Sequence, residues 1–403
     1  MLNNTERPRV LGLLVGNIDA RGSGAWVKYG QLFAALRAQT NLVAVRDVEL
    51  YGFDRYQNAL RSLRPSKQRW REAMHKNLWG FEQRSKLARA ELARYANQVD
   101  VVLQHGAIFH AHTPDGPPVV IYTDFTYRLA QREDDWRNPF ASAAESERWN
   151  NLEHEAYHHA TMVLTRSDYT RQSLLDDYGM PPERVVTVGG GVNFEQLPPA
   201  ASLHPTPRVL FIGKDFERKG GDLLLAAFAR AREHVPNAEL WLVTSKEDVS
   251  GPGVRRIAPT YDRAAIAALY HDSSVFAMPS RCETWGDVFL EAMAYGLPCI
   301  GANRDAMPEI IQHGETGFVV EPDDVESLAH YLKLLLSNGG ERQRMGAGGF
   351  QRVNESFTWP AVVQRMLPLL VQAHIRQPAA VQASRLDHKV SAVGINHRNE
   401  RHV

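Results

Sequence analysis

Short apolar runs alternate with stretches of helical periodicity through most of the chain. Arg9 to Val15 is an apolar run of the kind that forms a strand buried on both faces. It passes into Gly16-Asn-Ile-Asp-Ala-Arg-Gly22-Ser-Gly24, after which Ala25 to Arg37 reads as a helix. Leu42 to Val48, Val99 to Gln104, Val119 to Thr123, Thr161 to Thr165 and Val185 to Val188 are further buried-type strands. Helices are expected over Glu145 to His159, and from a Ser167 cap to Tyr178, where Gly179 and Pro181-Pro182 stop the second. Leu197 to Pro207 holds four prolines and no periodicity, the mark of a domain boundary. Beyond it, strands at Arg208 to Gly213, Leu240 to Thr244, Val275 to Met278 and Cys299 to Ala302 alternate with helices at Asp222 to His234, Arg263 to Tyr270 and Asp287 to Tyr295. Helices over Val325 to Leu336 and Glu341 to Val353 precede one opened by Phe357-Thr-Trp359. From about Gln377 the chain turns polar and aperiodic, and a disordered tail is expected.

Repeated strand–helix alternation on both sides of one proline-rich segment predicts an α/β protein of two doubly wound parallel-sheet domains. A length of 403 residues suits two such domains, and 44% apolar with 23% charged residues can bury their cores. A formal net charge of zero argues against wholesale nucleic-acid binding. Two cysteines, Cys282 and Cys299, form no disulfide framework and point to a reducing, cytoplasmic setting. The N-terminus lacks the apolar segment of a signal peptide, and no run is long enough to read as a membrane span.

Charge is uneven, however. Residues 55–94 carry eleven Lys/Arg against three Glu, with Trp70, Trp79 and Phe81 interleaved. Such a stretch either lies on an anionic membrane surface, receives an acceptor bearing phosphate, or is a solvated helix face with its aromatics packed inward.

Candidate chemistry concentrates after the strand at Val275 to Met278. Glu283 ends the turn and Glu291 lies eight residues on, inside a helix begun by Gly286 and Asp287 and ended by Gly296 and Pro298. In an open parallel sheet ligands bind at the carboxyl ends of strands, where helix N-termini favour anions such as phosphate. The loop after Arg208 to Gly213 carries Lys214 and Lys219, and the one after the first strand carries Gly22 and Gly24. That glycine loop lacks the third glycine of a dinucleotide fingerprint and is either a tight turn or a place of close ligand approach. His105, Asp124 and Thr126 follow strand ends and are acceptor-side or catalytic candidates, or hydrogen-bonding loop residues. His110 and His112 have no spaced partners that would make a metal site.

The run Pro279-Ser-x-x-Glu283-x-x-Gly286-x-x-x-x-Glu291-Ala-Met-Ala-x-Gly296-x-Pro298 resembles the E-x7-E signature of the family-4 retaining glycosyltransferases. Gly213-Lys214-x-x-x-x-Lys219-Gly220 is similar to that family's G-R-x-x-x-x-K-G element, with Lys214 where Arg is commoner, and Pro308-Glu309-Ile-Ile-x-x-Gly314-x-Thr-Gly-Phe matches another of its runs. Where the family has E-G-F-G, this chain reads Glu283-Thr284-Trp285-Gly286. Gly189-Gly-Gly-Val-Asn193 resembles the segment that closes the family's first domain.

The resemblance spans residues 9–375, strongest in the second half, and implies the GT-B fold: two Rossmann-like domains facing a cleft, with a C-terminal helix returning to the first. The divisions it implies are 1–196 on the acceptor side, a linker at 197–207, a donor domain at 208–356, a returning helix at 357–376 and the tail. It implies transfer of a sugar from a nucleotide-diphosphate sugar to a hydroxyl acceptor, with retention at the anomeric carbon, as in polysaccharide biosynthesis.

By the same resemblance Lys214, Lys219, Gly213 and the N-terminus of the Asp287 helix hold the diphosphate. Glu283 with the backbone of Trp285, Gly286 and Asp287 meets the hexose, Glu291 meets the ribose, Val288 is a further donor-binding candidate, and Gly22 and Gly24 face the donor. The segment from Arg255 to Tyr261 passes near the nucleobase. No tightly bound cofactor is expected, and no metal is demanded, because cationic side chains can replace one. Two other readings stay open: a sugar-nucleotide epimerase on the same fold, and a catalytically idle relative serving as scaffold or binder.

Overall fold

The computed structural model describes residues 7–95, 97–132, 138–199 and 206–375. The expected tail, and residues 200–205 of the expected linker, lie outside the described residues.

Among the described residues twelve strands form two six-stranded sheets in which paired neighbours run parallel. The first comprises β1 (Arg9–Leu14), β2 (Asn41–Asp47), β3 (Val101–His105), β4 (Val119–Thr123), β5 (Met162–Thr165) and β6 (Val185–Thr187), in the order β2-β1-β3-β4-β5-β6. The second comprises β7 (Arg208–Ile212), β8 (Glu239–Val243), β9 (Val254–Ile257), β10 (Val275–Met278), β11 (Cys299–Ala302) and β12 (Gly317–Val320), in the order β12-β11-β10-β7-β8-β9.

Helices pack along both. In chain order they are α1 (Gly24–Gln39), α2 (Gly52–Arg61), α3 (Lys67–His75), α4 (Leu78–Tyr95), α5 (Tyr127–Arg132), α6 (Ala143–His159), α7 (Asp168–Asp176), α8 (Gly221–His234), α9 (Arg263–His271), α10 (Asp287–Ala294), α11 (Met307–Ile310), α12 (Val325–Ser337), α13 (Gly339–Ser356) and α14 (Trp359–Ile375). The central strands are fully buried, which is why they read as unbroken apolar runs rather than as alternation.

Contacts divide the chain into two compact units. One holds residues 7–166, Thr170–Val188 and residues 363–375; the other holds Ser167–Tyr169 and Gly189–Val362. Helix α14 therefore begins in the second unit and continues into the first. The triple-glycine segment belongs to the second unit, for a steric reason: a Cβ on Gly191 would lie 2.6 Å from the Trp359 ring, whose indole N–H donates to Asn193 at 2.8 Å.

In each sheet the strand order reverses once, between β1 and β3 in the first and between β7 and β10 in the second. A crevice opens beyond the carboxyl ends of the strands at such a reversal. The glycine loop follows β1 and His105 ends β3. The Lys214–Lys219 loop follows β7 and the Glu283 loop follows β10. The topology alone thus puts each set of candidates at its own sheet's reversal point.

The basic stretch 55–94 is three helices, broken at Pro65 and around Asn77; of its named aromatics Phe81 is buried and the Trp70 indole donates to the Ala59 carbonyl at 3.0 Å, as the reading with aromatics packed inward expects. One local reading is corrected: Arg255 to Ile257, the start of the segment expected to pass near the nucleobase as a loop, belongs to the edge strand Val254–Ile257, whose half-exposed Val-Arg-Arg-Ile pattern hides the strand signal. No helix among the described residues is long and apolar enough to cross a membrane.

Candidate functional site

The loop between β7 and α8 is shaped by glycines that touch their surroundings. A Cβ on Gly213 would lie 2.7 Å from the Phe211 ring and 2.8 Å from Lys219 Cβ, so the start and end of the loop are pressed together. Gly220 is left-handed at φ 72°, and a Cβ there would meet the Pro279 carbonyl oxygen at 2.0 Å. This contact seats the loop after β7 against the end of β10. It brings the Lys219 ammonium onto the Glu283 carboxylate in a largely buried ion pair. Lys214 stays exposed; its Nζ donates to the Tyr261 hydroxyl at 2.5 Å and lies 4.1 Å from that ring's centre.

The loop after β10 is anchored from several sides. Glu283 N–H donates to Asp305 at 2.6 Å, and Asp305 itself adopts φ 52°. Arg218 donates to the Cys282 carbonyl at 3.0 Å, and Arg281 forks onto Asp222 at 2.7 and 2.8 Å. Gly286 takes φ 90° and opens α10; a Cβ there would lie 2.8 Å from Phe289 and 3.3 Å from Glu283 Cγ.

Neither α8 nor α10 has a side-chain cap: each begins at a left-handed glycine, Gly220 and Gly286. The backbone N–H groups of a first turn lack intrahelical partners and carry the positive end of the helix dipole. Two such starts flank the Lys219–Glu283 pair, an arrangement suited to an anion. Asp287 and Val288 lie in the first turn of α10, while the Trp285 side chain is buried against Phe357, 5.8 Å between ring centres.

Glu291 sits one turn further along α10. It accepts from the Tyr270 hydroxyl at 3.0 Å, and Arg263 approaches it at 3.6 Å. Burial pushes its carboxyl above the ordinary carboxylate range, against the pull of Arg263 and Tyr270.

In the first unit, His105 and Asp124 come together at the ends of β3 and β4, with Arg166 at the end of β5 and Lys28 on α1 close enough to act on both electrostatically. Desolvation, with Arg166 and Lys28, drops the His105 imidazole to about 4, so the ring is neutral. Burial alone would raise the Asp124 carboxyl; Arg166, with Lys28, holds it below its usual value instead. The His105 ring packs on Tyr29 at 4.0 Å, and its Nε2 has no hydrogen-bond partner among the described residues. Buried Gln104 fixes the following loop by donating to the Gly106 and Phe109 carbonyls and accepting from Ala111 N–H.

Thr126 is structural: its hydroxyl is buried, bonded to Ser173 at 2.7 Å, and accepts from Leu129 N–H. Gly22, left-handed at φ 85°, and Gly24 flank Ser23, whose hydroxyl accepts from Trp26 N–H and caps α1. The start of α1 thus differs from those of α8 and α10 in having a side-chain cap. Among the described residues no group of three or more His, Cys, Asp or Glu is arranged to hold a metal.

Sequence reasoning missed Tyr270, Arg263, Asp305, Arg166 and Lys28. Arg166 carried a signal, being the first charged residue after a buried strand. Tyr270 and Asp305 carried none, because what recruits them is packing between elements distant in the chain.

Comparison with known proteins follows the same division. Residues 34–196 match the family described as Glycosyltransferase Family 4, and residues 206–338 that described as Glycosyl transferases group 1. The chain is 26% identical over 236 residues to a D-inositol 3-phosphate glycosyltransferase of Thermobifida fusca, covering 52% of this chain and 54% of the relative. It is 30% identical over 229 residues to an MMP alpha-(1->4)-mannosyltransferase of Mycolicibacterium hassiacum, covering 54% and 55%. The matches thus span about half the length of these relatives.

Among solved structures, HepE of Anabaena in complex with UDP superposes with a TM-score of 0.60 at 14% identity, over 90% of this chain and all of that one, which establishes a shared fold. Two parallel six-stranded sheets, the E-x7-E segment at one sheet's reversal point and matches over both halves lead to one assignment: the chain belongs to the group 1, family 4 glycosyltransferases and has the GT-B fold.

Proposed function

We propose that this protein is a retaining glycosyltransferase that moves a sugar from a nucleotide-diphosphate sugar to a hydroxyl acceptor. The observation that carries the reading is the Lys219–Glu283 pair flanked by two helix starts without side-chain caps. A cation beside the positive ends of two helix dipoles suits a diphosphate, and a carboxylate at the same point suits sugar hydroxyls.

In the proposed reaction the bond from the anomeric carbon to the diphosphate oxygen breaks. The acceptor oxygen forms its bond on the same face, and its proton passes to the leaving phosphate. Charge grows on phosphate oxygens and on an oxocarbenium-like sugar. Lys219, with Lys214 and the first turn of α10, takes the former. Glu283, with the backbone of Trp285 to Asp287, orients the hexose, and Glu291 the ribose. His105 and Asp124, neutral and ionised respectively, are the acceptor-side candidates. Related proteins are named for transfer to inositol phosphate and for mannosyl transfer, and HepE is seen with UDP, which supports the class without naming this donor.

The test is a thermal-shift titration with UDP, GDP and ADP, repeated with Lys219→Ala. A rise in melting temperature with one nucleotide, lost in the variant, supports the diphosphate site. No rise with any of the three favours an idle binder. Turnover of the matching donor without any acceptor would favour an epimerase, and an inverted anomeric centre in the product would overturn retention.

A further inference from the structure

Helix α2 is built inside out. Its inward residues are polar: Asn58 and, just past its end, Ser62 are buried, donating to the carbonyls of Met74 and Ala73 at 2.8 and 3.1 Å. Asn77 closes the cluster by donating to Asn58 at 2.8 Å and to Ser62 at 3.2 Å. Its outward residues are apolar. Phe53, Tyr56 and Leu60 on the helix, and Leu63 two residues past its end, are 73, 73, 69 and 61% exposed, among the most exposed large hydrophobic side chains in the described structure. The spacing of the first three, three and four residues, puts them within an arc of about 60°, opposite Asn58.

A solvated helix of a globular domain shows the reverse pattern, with its apolar stripe turned to the core. Hydrogen bonds on the inner side hold this stripe outward. Cations flank it. From residue 51 to 71 the chain has Arg55, Arg61, Arg64, Lys67, Arg69 and Arg71 against Asp54, in a protein whose net charge is zero. Arg64 turns inward to the Pro139 carbonyl at 2.9 Å, but the other five are exposed. On the helical projection Arg55 and Arg61 stand on either side of the stripe, about 100° and 80° from its nearer edge.

We propose that this face of α2 docks on a phospholipid bilayer carrying anionic headgroups. Three side chains on a ten-residue helix, with Leu63 just past its end, fall short of the roughly 800 Å² per partner that a stable protein interface needs. An interfacial helix needs only a narrow apolar stripe sunk about 5–10 Å below the headgroups, with arginines beside it to meet lipid phosphates. Charge complementarity with the five exposed cations selects anionic over neutral lipid. The face lies outside the residues assigned to donor chemistry, so the proposal stands apart from the glycosyl-transfer reading.

The test is sedimentation of the full chain with vesicles of phosphatidylcholine, with and without one-third phosphatidylglycerol. The chain should pellet with the anionic vesicles, weaken as salt is raised, and lose at least about tenfold in partitioning in the double variant Phe53→Ser, Leu60→Ser. Both positions are exposed, so the variant's circular dichroism and melting temperature should match the parent's. Arg55→Gln with Arg61→Gln should weaken binding to anionic vesicles while leaving the weaker binding to neutral ones unchanged. No pelleting with anionic vesicles, or equal pelleting of parent and Phe53→Ser, Leu60→Ser variant, would overturn the proposal. A parent that elutes as a dimer and a double variant that elutes as a monomer, neither binding lipid, would make the face a contact between copies and overturn it equally.

Discussion

The phenol of Tyr270, the last tyrosine of the helix before β10, donates to Glu291 on the helix after it at 3.0 Å. The two residues are 21 apart in sequence and meet because β10 separates their helices by a single crossover. Tyr270→Phe removes this bond and leaves Arg263 at 3.6 Å as the remaining support. A hydrogen bond to a charged group contributes about 1.5–3 kcal/mol, so donor KM should rise by about tenfold or more with little change in kcat, if Glu291 holds the ribose. Steady-state kinetics with saturating acceptor checks this, and an unchanged KM would count against that role.

Lys219→Ala should lower kcat/KM for the donor by about 100- to 1000-fold, the usual cost of removing one preorganised charge donor. The partner change Glu283→Gln should cost less in donor binding than in kcat, because it leaves Lys219 free to meet phosphate. Measuring both variants by single-turnover kinetics separates the two roles. Equal losses in binding for both would mean that the ion pair acts only as a strut.

Two left-handed glycines should respond differently to alanine. Gly220 has φ 72° and a backbone oxygen 2.0 Å from where Cβ would go, whereas Gly22 has φ 85° and nothing within 4 Å. Gly22→Ala should cost about 1–2 kcal/mol from backbone conformation alone. Gly220→Ala adds displacement of Pro279 and should cost about 3 kcal/mol or more, besides weakening nucleotide binding. Urea denaturation of both variants measures the difference.

Stability should carry a pH signature from Glu153, a buried carboxyl of α6 that accepts from Tyr127 N–H at 2.8 Å and from the Tyr178 hydroxyl. Burial raises it to about 7. Below pH 4.5 folded and unfolded chains both hold this proton. Between 4.5 and 7 the unfolded chain releases it while the folded one does not, so stability falls as pH rises, then levels off. Glu153→Gln removes the effect. Its stability relative to the parent should therefore increase by about 3 kcal/mol between pH 5 and pH 8, read from denaturation at the two values. His105, held at about 4, acts in the opposite sense over roughly pH 4 to 6.5, so the comparison of variant with parent isolates Glu153.

Most of the sheet was legible because buried parallel strands are unbroken apolar runs: Val119–Thr123, Val275–Met278 and Cys299–Ala302 lie where their composition puts them. Edge strands were harder. Val254–Ile257 exposes two arginines, and Gly317–Val320 opens on a glycine at φ 153°, where a Cβ would strike the Cys299 backbone, so each has a residue that strands usually avoid. Around the site, Glu283, Glu291 and Lys219 were legible from spacing within one segment or one loop. Tyr270, Asp305 and Arg263 were not, because their roles come from packing between elements. The basic stretch was legible in charge and in the inward packing of Trp70 and Phe81, but not in the outward turn of Leu60, or of Phe53 just before it.

The helix starts at Gly220 and Gly286 owe their form to missing side chains, and this bears on how such a protein diversifies. A side-chain cap can be exchanged by degrees, serine for aspartate or threonine, with graded effect. A left-handed position where a methyl group would strike a backbone oxygen, as at Gly220, or the Phe289 ring, as at Gly286, has no intermediate grades: it keeps glycine or gives way. Variation in this lineage should therefore accumulate at Thr284, Lys214 and Tyr261, the exposed or half-exposed positions beside the two starts, while the two glycines stay as a fixed frame around which donor preference is free to drift.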